Sequence, residues 1–152
     1  MGGLAGCDSG KASDKSLLFV NVEQGQKLAA GERSLLGKHS AATWVDARTR
    51  DDYDAGHIPG AVSLPFERVT ADHFIVKDKP IVIVYGADYN DARANGMSKR
   101  LKELLEGHDI RTLDGGVRAW TTAGNELERS DGATVTTAPP SSAPATAPTG
   151  GS

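Results

Sequence analysis

Apolar and polar residues alternate in blocks along the chain, and the clearest block is the apolar run at positions 81–85, between Pro80 and Gly86. A short β-branched run of this kind is typical of a buried strand in a parallel sheet. The next apolar residues recur at the spacing of one helix face and predict a helix that runs to Gly107. Residues 86–91 are therefore expected to form a strand-to-helix loop, where open α/β sheets place their binding sites.

The rest of the chain shows weaker signals of the same kind. Strands or extended segments are predicted at 17–22, 43–47, 61–64 and 110–113. Helical or turn segments are expected at 25–30, 48–54, 66–76 and 117–123, and the third of these has Phe66, Val69 and Phe74 as its inward contacts. Because strands alternate with helices, the sequence predicts an α/β fold with a parallel sheet.

The length of 152 residues fits one domain, and a hydrophobic content of 38% indicates that part of the chain lies outside the core. Residues 1–16 are rich in Gly, Ser and Lys and are predicted to be disordered. Residues 129–152 are predicted to be a disordered tail rich in Pro, Thr, Ala and Ser. The folded domain is expected to span residues 17–128.

The charge balance and the cysteine count exclude several classes of function. With 17 basic and 20 acidic residues the net charge is −3, and no basic cluster indicates binding to nucleic acid. The one cysteine, Cys7, allows neither an intramolecular disulfide nor a cysteine metal site. The four histidines lack ligand spacing, so neither a metal nor another cofactor is expected.

The segment 4–7 (Leu-Ala-Gly-Cys) resembles the lipobox of bacterial lipoproteins, in which the cysteine carries the lipid. The basic start and apolar run of a secretion signal do not precede it, unless residues 1–3 are the end of such a run. Two interpretations follow: Cys7 is a lipid anchor on a cell-envelope protein, or it is a free thiol in the tail of a cytoplasmic protein. A membrane partner is expected only through that anchor.

Two further motifs carry a family resemblance. The first combines residues 45–48 (Val-Asp-Ala-Arg), Tyr53, residues 56–61 (Gly-His-Ile-Pro-Gly-Ala) and Pro65. The second combines residues 114–116 (Asp-Gly-Gly) with residues 119–120 (Ala-Trp) and 123–124 (Ala-Gly). Their order and spacing resemble the rhodanese-like domain over roughly residues 17–128. This resemblance implies a sheet of about five parallel strands flanked by helices.

The residues of these motifs also have a structural interpretation. The Asp46 carboxylate is expected to accept backbone N–H groups at a strand end, and Arg48 is expected to pair with Asp52 or Asp54. His57 is expected to fix a turn, and Trp120 is expected in the core. These framework residues are Asp46, Arg48, His57, Gly115, Gly116 and Trp120.

The resemblance also implies a reaction that this loop does not support. Active rhodaneses carry sulfur as a persulfide on a loop cysteine, because the thiolate is both nucleophile and carrier. Counting from the strand end places that cysteine at Gly86, whereas counting back from Arg93 places it at Asp88. The pocket loop consists of Gly86, Ala87, Asp88, Tyr89, Asn90, Asp91 and Arg93, with no thiol.

The charges of the loop agree with this absence. Asp91 is predicted to cap the helix, and with Asp88 it places carboxylates where an anionic substrate would bind, offset by Arg93. Asp88 as a nucleophile is disfavoured because a carboxylate does not carry sulfane sulfur. We therefore expect a non-catalytic rhodanese-like domain that binds, senses or scaffolds an unidentified protein or small molecule. The alternative is a divergent sulfurtransferase that uses the thiol of a partner.

Overall fold

The computed structural model describes residues 14–31 and 41–135. Cys7 and the lipobox-like segment lie outside the described residues, as does most of the predicted C-terminal tail. The described part contains one five-stranded sheet with helices on both faces and a separate two-stranded hairpin. The predicted α/β architecture is confirmed.

The elements are short and follow one another closely. The strands are β1 (Phe19–Val20), β2 (Thr43–Asp46), β3 (Val62–Ser63), β4 (Ile81–Tyr85), β5 (Asp109–Leu113), β6 (Leu127–Glu128) and β7 (Thr134–Val135). The helices are α1 (Val22–Ala30), α2 (Arg50–Ala55), α3 (Val69–Asp72), α4 (Ala92–Leu104) and α5 (Gly116–Thr122). Within the described residues there are also three 3₁₀ turns, at Asp14–Ser16, Phe66–Arg68 and His73–Val76.

The main sheet has the strand order β1-β5-β4-β2-β3, and each neighbouring pair is parallel. The apolar run at 81–85 forms β4, which lies at the centre of the sheet between β5 and β2. Asp46 is in register with Tyr85, so the carboxyl ends of β2 and β4 lie side by side. This edge of the sheet carries the loop 86–91.

Two apolar layers cover the faces of the sheet. On one face, residues of α3 and α4 such as Val69, Met97 and Leu101 pack against β4 and β2. On the other face, Trp44 and Trp120 pack edge to face with ring centroids 5.4 Å apart, between the sheet and helices α1 and α5. Both tryptophans are buried, which confirms the prediction for Trp120. Aromatic pairs in this geometry add to the energy gained from buried area.

Three predictions about packing and boundaries need correction. Phe74 is 56% exposed, and Val76 takes the buried position instead. The helix after β4 ends at Leu104, three residues before Gly107. The segment from residue 129 does not begin as a tail: β7 pairs antiparallel with β6, and the backbone N–H of Ser130 donates to the carbonyl of Asp54.

Candidate functional site

The loop 86–91 joins the central strand β4 to the N-terminus of α4. The backbone of the loop turns at Asn90, which has a positive φ of 54°. Asparagine tolerates this conformation better than most residues. The N-terminal N–H groups of α4 have no partner within the helix, so something outside the helix must accept their hydrogen bonds. What accepts them decides whether the loop can bind an anion.

Asp91 accepts those hydrogen bonds. Its Oδ1 receives the backbone N–H groups of Arg93 at 2.9 Å and of Ala94 at 3.1 Å. Its Oδ2 receives the backbone N–H of Ala87, at the start of the loop, at 2.9 Å. The predicted N-cap is thus confirmed, and the same carboxylate also closes the loop on itself.

Gly86 lies directly beneath this carboxylate. A Cβ atom built on Gly86 would lie 2.3 Å from Cγ of Asp91 and 2.6 Å from each of its oxygens. The φ angle of Gly86 lies outside the left-handed region, so the backbone itself would accept an ordinary L-residue. The Asp91 carboxylate therefore occupies the space into which a side chain at position 86 would project.

The Asp88 carboxylate has hydrogen-bond partners that differ from those of Asp91. Its Oδ1 accepts the backbone N–H of Tyr89 at 2.7 Å, and its Oδ2 accepts a hydrogen bond from the Arg118 guanidinium at 3.0 Å. These two contacts hold the pKa of the Asp88 carboxyl below its usual value. Arg118 was not predicted from the sequence, because no local pattern links two residues that are 30 positions apart.

Arg93 does not offset the charge of these aspartates, and that prediction is wrong. Its guanidinium lies 3.4 Å from the carboxylate of Glu67, on the side of the 3₁₀ turn. Arg93 contributes to the loop only through its backbone N–H. The side chain that neutralises a loop carboxylate is instead Arg118 from α5.

The start of α5 holds the loop from below. The backbone N–H groups of Val117 and Arg118 donate to the carbonyls of Gly86 and Ala87, both at 3.0 Å. A Cβ on Gly116 would lie 2.3 Å from the carbonyl oxygen of Gly86, and Gly116 has a φ of +50°. The paired glycines of the second motif are therefore needed for this close approach.

A buried ion pair supports the neighbouring strand end. Arg48 donates to Asp46 from Nε at 3.0 Å and from Nη2 at 2.6 Å, and Asp46 is fully buried. Arg48 also donates to the carbonyl of Gly56 at 2.6 Å. The predicted partner was wrong: Asp54 instead pairs with Arg50. The Asp46 carboxylate also accepts the backbone N–H of Arg48, as predicted.

Tyr85 connects this ion pair to the turn at residues 56–61. Its hydroxyl oxygen accepts the backbone N–H of Ile58 at 3.1 Å, and its ring lies 5.8 Å from the Arg48 guanidinium. Burial, with the nearby Asp46 carboxylate, raises the pKa of Tyr85 well above its usual value. For Arg48, burial alone would lower the pKa, but the hydrogen bonds and charge of Asp46 raise it.

The contacts of His57 indicate that it stabilises the fold. Its ring stacks on Tyr53 with centroids 3.8 Å apart, and Nδ1 lies 2.8 Å from the carbonyl oxygen of Tyr53, so Nδ1 carries the proton. Its backbone exchanges two hydrogen bonds of 2.8 Å with Glu128. His57 thus joins the turn to the β6–β7 hairpin, a contact between segments that are distant in sequence.

The residues predicted for the site form two adjacent groups. The loop residues and the Gly115–Gly116 pair come together at the end of β4, while Asp46, Arg48 and His57 lie beside it beneath the turn. Trp120 belongs to the apolar core and not to the site. Among residues 14–31 and 41–135, no group of three or more His, Cys, Asp or Glu side chains is arranged to hold a metal ion. None of the helices in that part is long and apolar enough to cross a membrane.

Similar proteins include sulfurtransferases. The chain is 35% identical over 86 residues to the thiosulfate sulfurtransferase GlpE of Pseudoalteromonas translucida, and the match covers 54% of this chain and 75% of that protein. The fold is similar to a rhodanese-related protein from Thermoplasma volcanium, with a TM-score of 0.57, 19% identity and coverage of 78% of this chain and 98% of that one. It is also similar to a thiosulfate sulfurtransferase from Pseudomonas aeruginosa, with a TM-score of 0.56 and 25% identity. That match covers 76% of this chain but 21% of the other.

The family model of the rhodanese-like domain matches residues 32–123. This range includes the first sequence motif, the second motif as far as Ala123, strands β2 to β5 and the loop between β4 and α4. The five-stranded parallel sheet agrees with the fold that the motifs imply. The chain therefore belongs to the rhodanese-like domain family.

Proposed function

We propose that this rhodanese-like domain does not transfer sulfur through its own loop and acts instead by binding, sensing or scaffolding. The observation that supports this proposal is the position of Asp91. Its carboxylate accepts the N–H groups of Ala87, Arg93 and Ala94, which face the centre of the loop. A substrate anion would need those same donors.

The chemistry of sulfur transfer explains why this matters. A thiolate attacks the outer sulfur of thiosulfate, the sulfur–sulfur bond breaks, sulfite leaves and a persulfide remains; cyanide then takes that sulfur as thiocyanate and restores the thiolate. Every step needs a thiolate at the loop, and positions 86–91 contain none. The loop lacks the nucleophile, and in addition the carboxylate at its centre would repel the thiosulfate dianion.

The test is a thiosulfate–cyanide assay on the full chain, with thiocyanate as the measured product. We expect no turnover above the uncatalysed rate. The Cys7→Ser variant is the matched control, since Cys7 is the one thiol of the chain. Turnover that persists in Cys7→Ser would contradict the proposal.

A second candidate function is a sulfurtransferase that completes its site with the thiol of a partner. The 35% identity to a thiosulfate sulfurtransferase favours it. In this case a mixture of this chain, the partner and thiosulfate would give a persulfide on a partner cysteine. Intact-mass spectrometry detects that persulfide as a gain of one sulfur atom. A mixture that lacks either thiosulfate or the partner would not give it. The absence of that mass gain, with the partner bound, would reject this candidate.

The segment 4–7 supports attachment of the chain to the cell envelope through a lipid on Cys7. The test is expression with the upstream coding sequence in a bacterial host, followed by mass spectrometry of the N-terminal peptide. We expect a lipid on Cys7, and we expect globomycin treatment to block cleavage of the chain before Cys7. An N-terminus that retains an unmodified Met1 in cells would contradict lipidation.

A further inference from the structure

A crevice of about 370 Å³ lies beside the loop, at the same edge of the sheet. The first turn of α1 forms one wall, α5 forms the opposite wall, and Tyr89 and Asp114 lie between them. Open α/β sheets bind ligands outside the carboxyl ends of their strands, which is where this crevice opens. It is separate from the centre of the loop that the Asp91 carboxylate occupies.

Tyr89 gives this crevice a fixed aromatic surface. The side chain is 54% exposed, which is high for a tyrosine in a folded domain. Its ring rests on Gly115: a Cβ there would lie 2.7 Å from Cζ and 2.8 Å from Cε1 of Tyr89. The ring is therefore held against the backbone on one side while more than half of the side chain remains open to a ligand.

The two charged side chains that line the crevice are both carboxylates. Its lining includes the carboxylates of Glu23 and Asp114 and no basic side chain. In the part of the chain that the structure describes, Asp114 has no ion-pair partner. Glu23 pairs with Lys27 at 2.8 Å, but both side chains are at least two-thirds exposed, where such pairs contribute little. An anion is disfavoured here, whereas a cation over the tyrosine ring is favoured by the carboxylates and by the ring itself.

We propose that this crevice binds an arginine or lysine side chain of a partner polypeptide. This inference rests on the proposed binding role and names the chemistry of the partner. Because Glu23, Tyr89 and Asp114 all reach solvent, a long cationic side chain can enter while its backbone stays outside. A guanidinium suits the site best, since it stacks on an aromatic ring while donating to carboxylates.

The experiment is an NMR titration of the ¹⁵N-labelled full chain with the peptide acetyl-Gly-Arg-Gly-amide, in which the backbone amide chemical shifts are measured. We expect saturable shifts at Tyr89, Asp114 and the first turn of α1. The matched peptide with citrulline in place of arginine keeps the shape but removes the charge, and we expect it to bind roughly fivefold more weakly. Equal binding of the two peptides, or shifts confined to another surface, would overturn the proposal. N-methylguanidinium that binds as tightly as the peptide would overturn the assignment to a polypeptide.

Variants of exposed side chains locate the binding energy. Tyr89→Ala is expected to weaken binding of the arginine peptide about two- to fivefold, while Tyr89→Phe keeps it. Asp114→Asn is expected to weaken it about fivefold, and Asp131→Asn, an exposed carboxylate on the β6–β7 hairpin, is expected to leave it unchanged. Unchanged binding in both Tyr89→Ala and Asp114→Asn would contradict the site. The thiosulfate assay on the same samples is a separate measurement. Thiocyanate production would contradict the non-catalytic role, whereas the peptide titration alone decides whether the crevice binds arginine.

Discussion

Two aspartates at the site, one at the end of β2 and one at the start of α4, have their charges balanced by different groups. At the end of β2, Asp46 is fully buried, and its charge is balanced by the Arg48 guanidinium. At the start of α4, Asp91 is balanced by backbone N–H groups, and no cationic side chain among the described residues pairs with it. The first aspartate supports the family framework, and the second caps α4 and closes the loop on itself. The difference shows that a buried carboxylate needs a cationic partner, whereas a carboxylate at a helix N-terminus is satisfied by backbone donors.

The largest expected effect is at the buried pair. Asp46→Ala leaves the Arg48 guanidinium buried without its carboxylate, and removing one partner of such a pair costs about 3–5 kcal/mol. Chemical denaturation measures the free energy of unfolding. The matched control is Arg68→Ala at the exposed pair with Asp72, where little or no loss of unfolding free energy is expected because solvent screens the pair. Similar losses in the two variants would mean that the Asp46–Arg48 pair has no special structural role.

The next effect tests how closely α5 approaches the loop. Gly116→Ala places a Cβ 2.3 Å from the carbonyl oxygen of Gly86, so the loop or helix must move, at a cost of about 2–3 kcal/mol. Gly107→Ala is the control: its φ is also positive, at +84°, but nothing lies within 4 Å. Gly107→Ala is expected to lower the free energy of unfolding by about 1 kcal/mol, because only the backbone conformation is strained. Equal costs for the two substitutions would show that the contact with Gly86 is not tight.

A third effect tests whether position 86 and Asp91 share one space. Gly86→Ala displaces the Asp91 carboxylate and is expected to cost about 1–2 kcal/mol, the usual loss when an N-cap is removed. In an Asp91→Ala background the same substitution should cost close to zero, because the space is already empty. A double-mutant cycle on the unfolding free energy measures this coupling. Additive losses would contradict mutual exclusion.

The smallest effect is a pH dependence at Tyr85. Since its folded pKa lies above the unfolded value, its contribution to stability is fully present below about pH 10 and falls as the pH rises through the folded pKa. Thermal unfolding between pH 8 and 11 should show a loss above pH 10 that is smaller in Tyr85→Phe. Tyr53, whose pKa is also raised, remains in both proteins. An identical alkaline slope in the variant would contradict burial of the Tyr85 hydroxyl.

Local signals predicted the parts of the fold that local physics determines. The apolar run of β4 and the N-cap at Asp91 lie within a few residues of each other, and both are confirmed. Helix α1 was predicted only weakly, although Asn21 and Gln24 form a reciprocal capping box that the sequence contains. Its polar composition concealed that signal.

The errors arise where geometry between distant segments decides the partner. Arg48 was expected to reach Asp52 or Asp54 along the chain, but the turn after β2 directs it back to Asp46. Phe74 was expected to face the core, but the sequence of the mixed segment 66–76 does not show where its helical geometry changes. A change from α-helix to 3₁₀ turn at His73 shifts the buried face to Val76 instead. The pairing of Asp88 with Arg118 depends on the packing of α5 under the loop, which no local pattern encodes.

The most direct test of the central claim is a thiosulfate titration of the ¹⁵N-labelled full chain, with the backbone N–H groups of Ala87, Arg93 and Ala94 as reporters. These groups donate to the Asp91 carboxylate, so an anion can bind at the centre of the loop only by displacing it. We expect no saturable shift of these signals. Saturable shifts of all three would show that the loop still accepts the sulfur donor and would contradict the account.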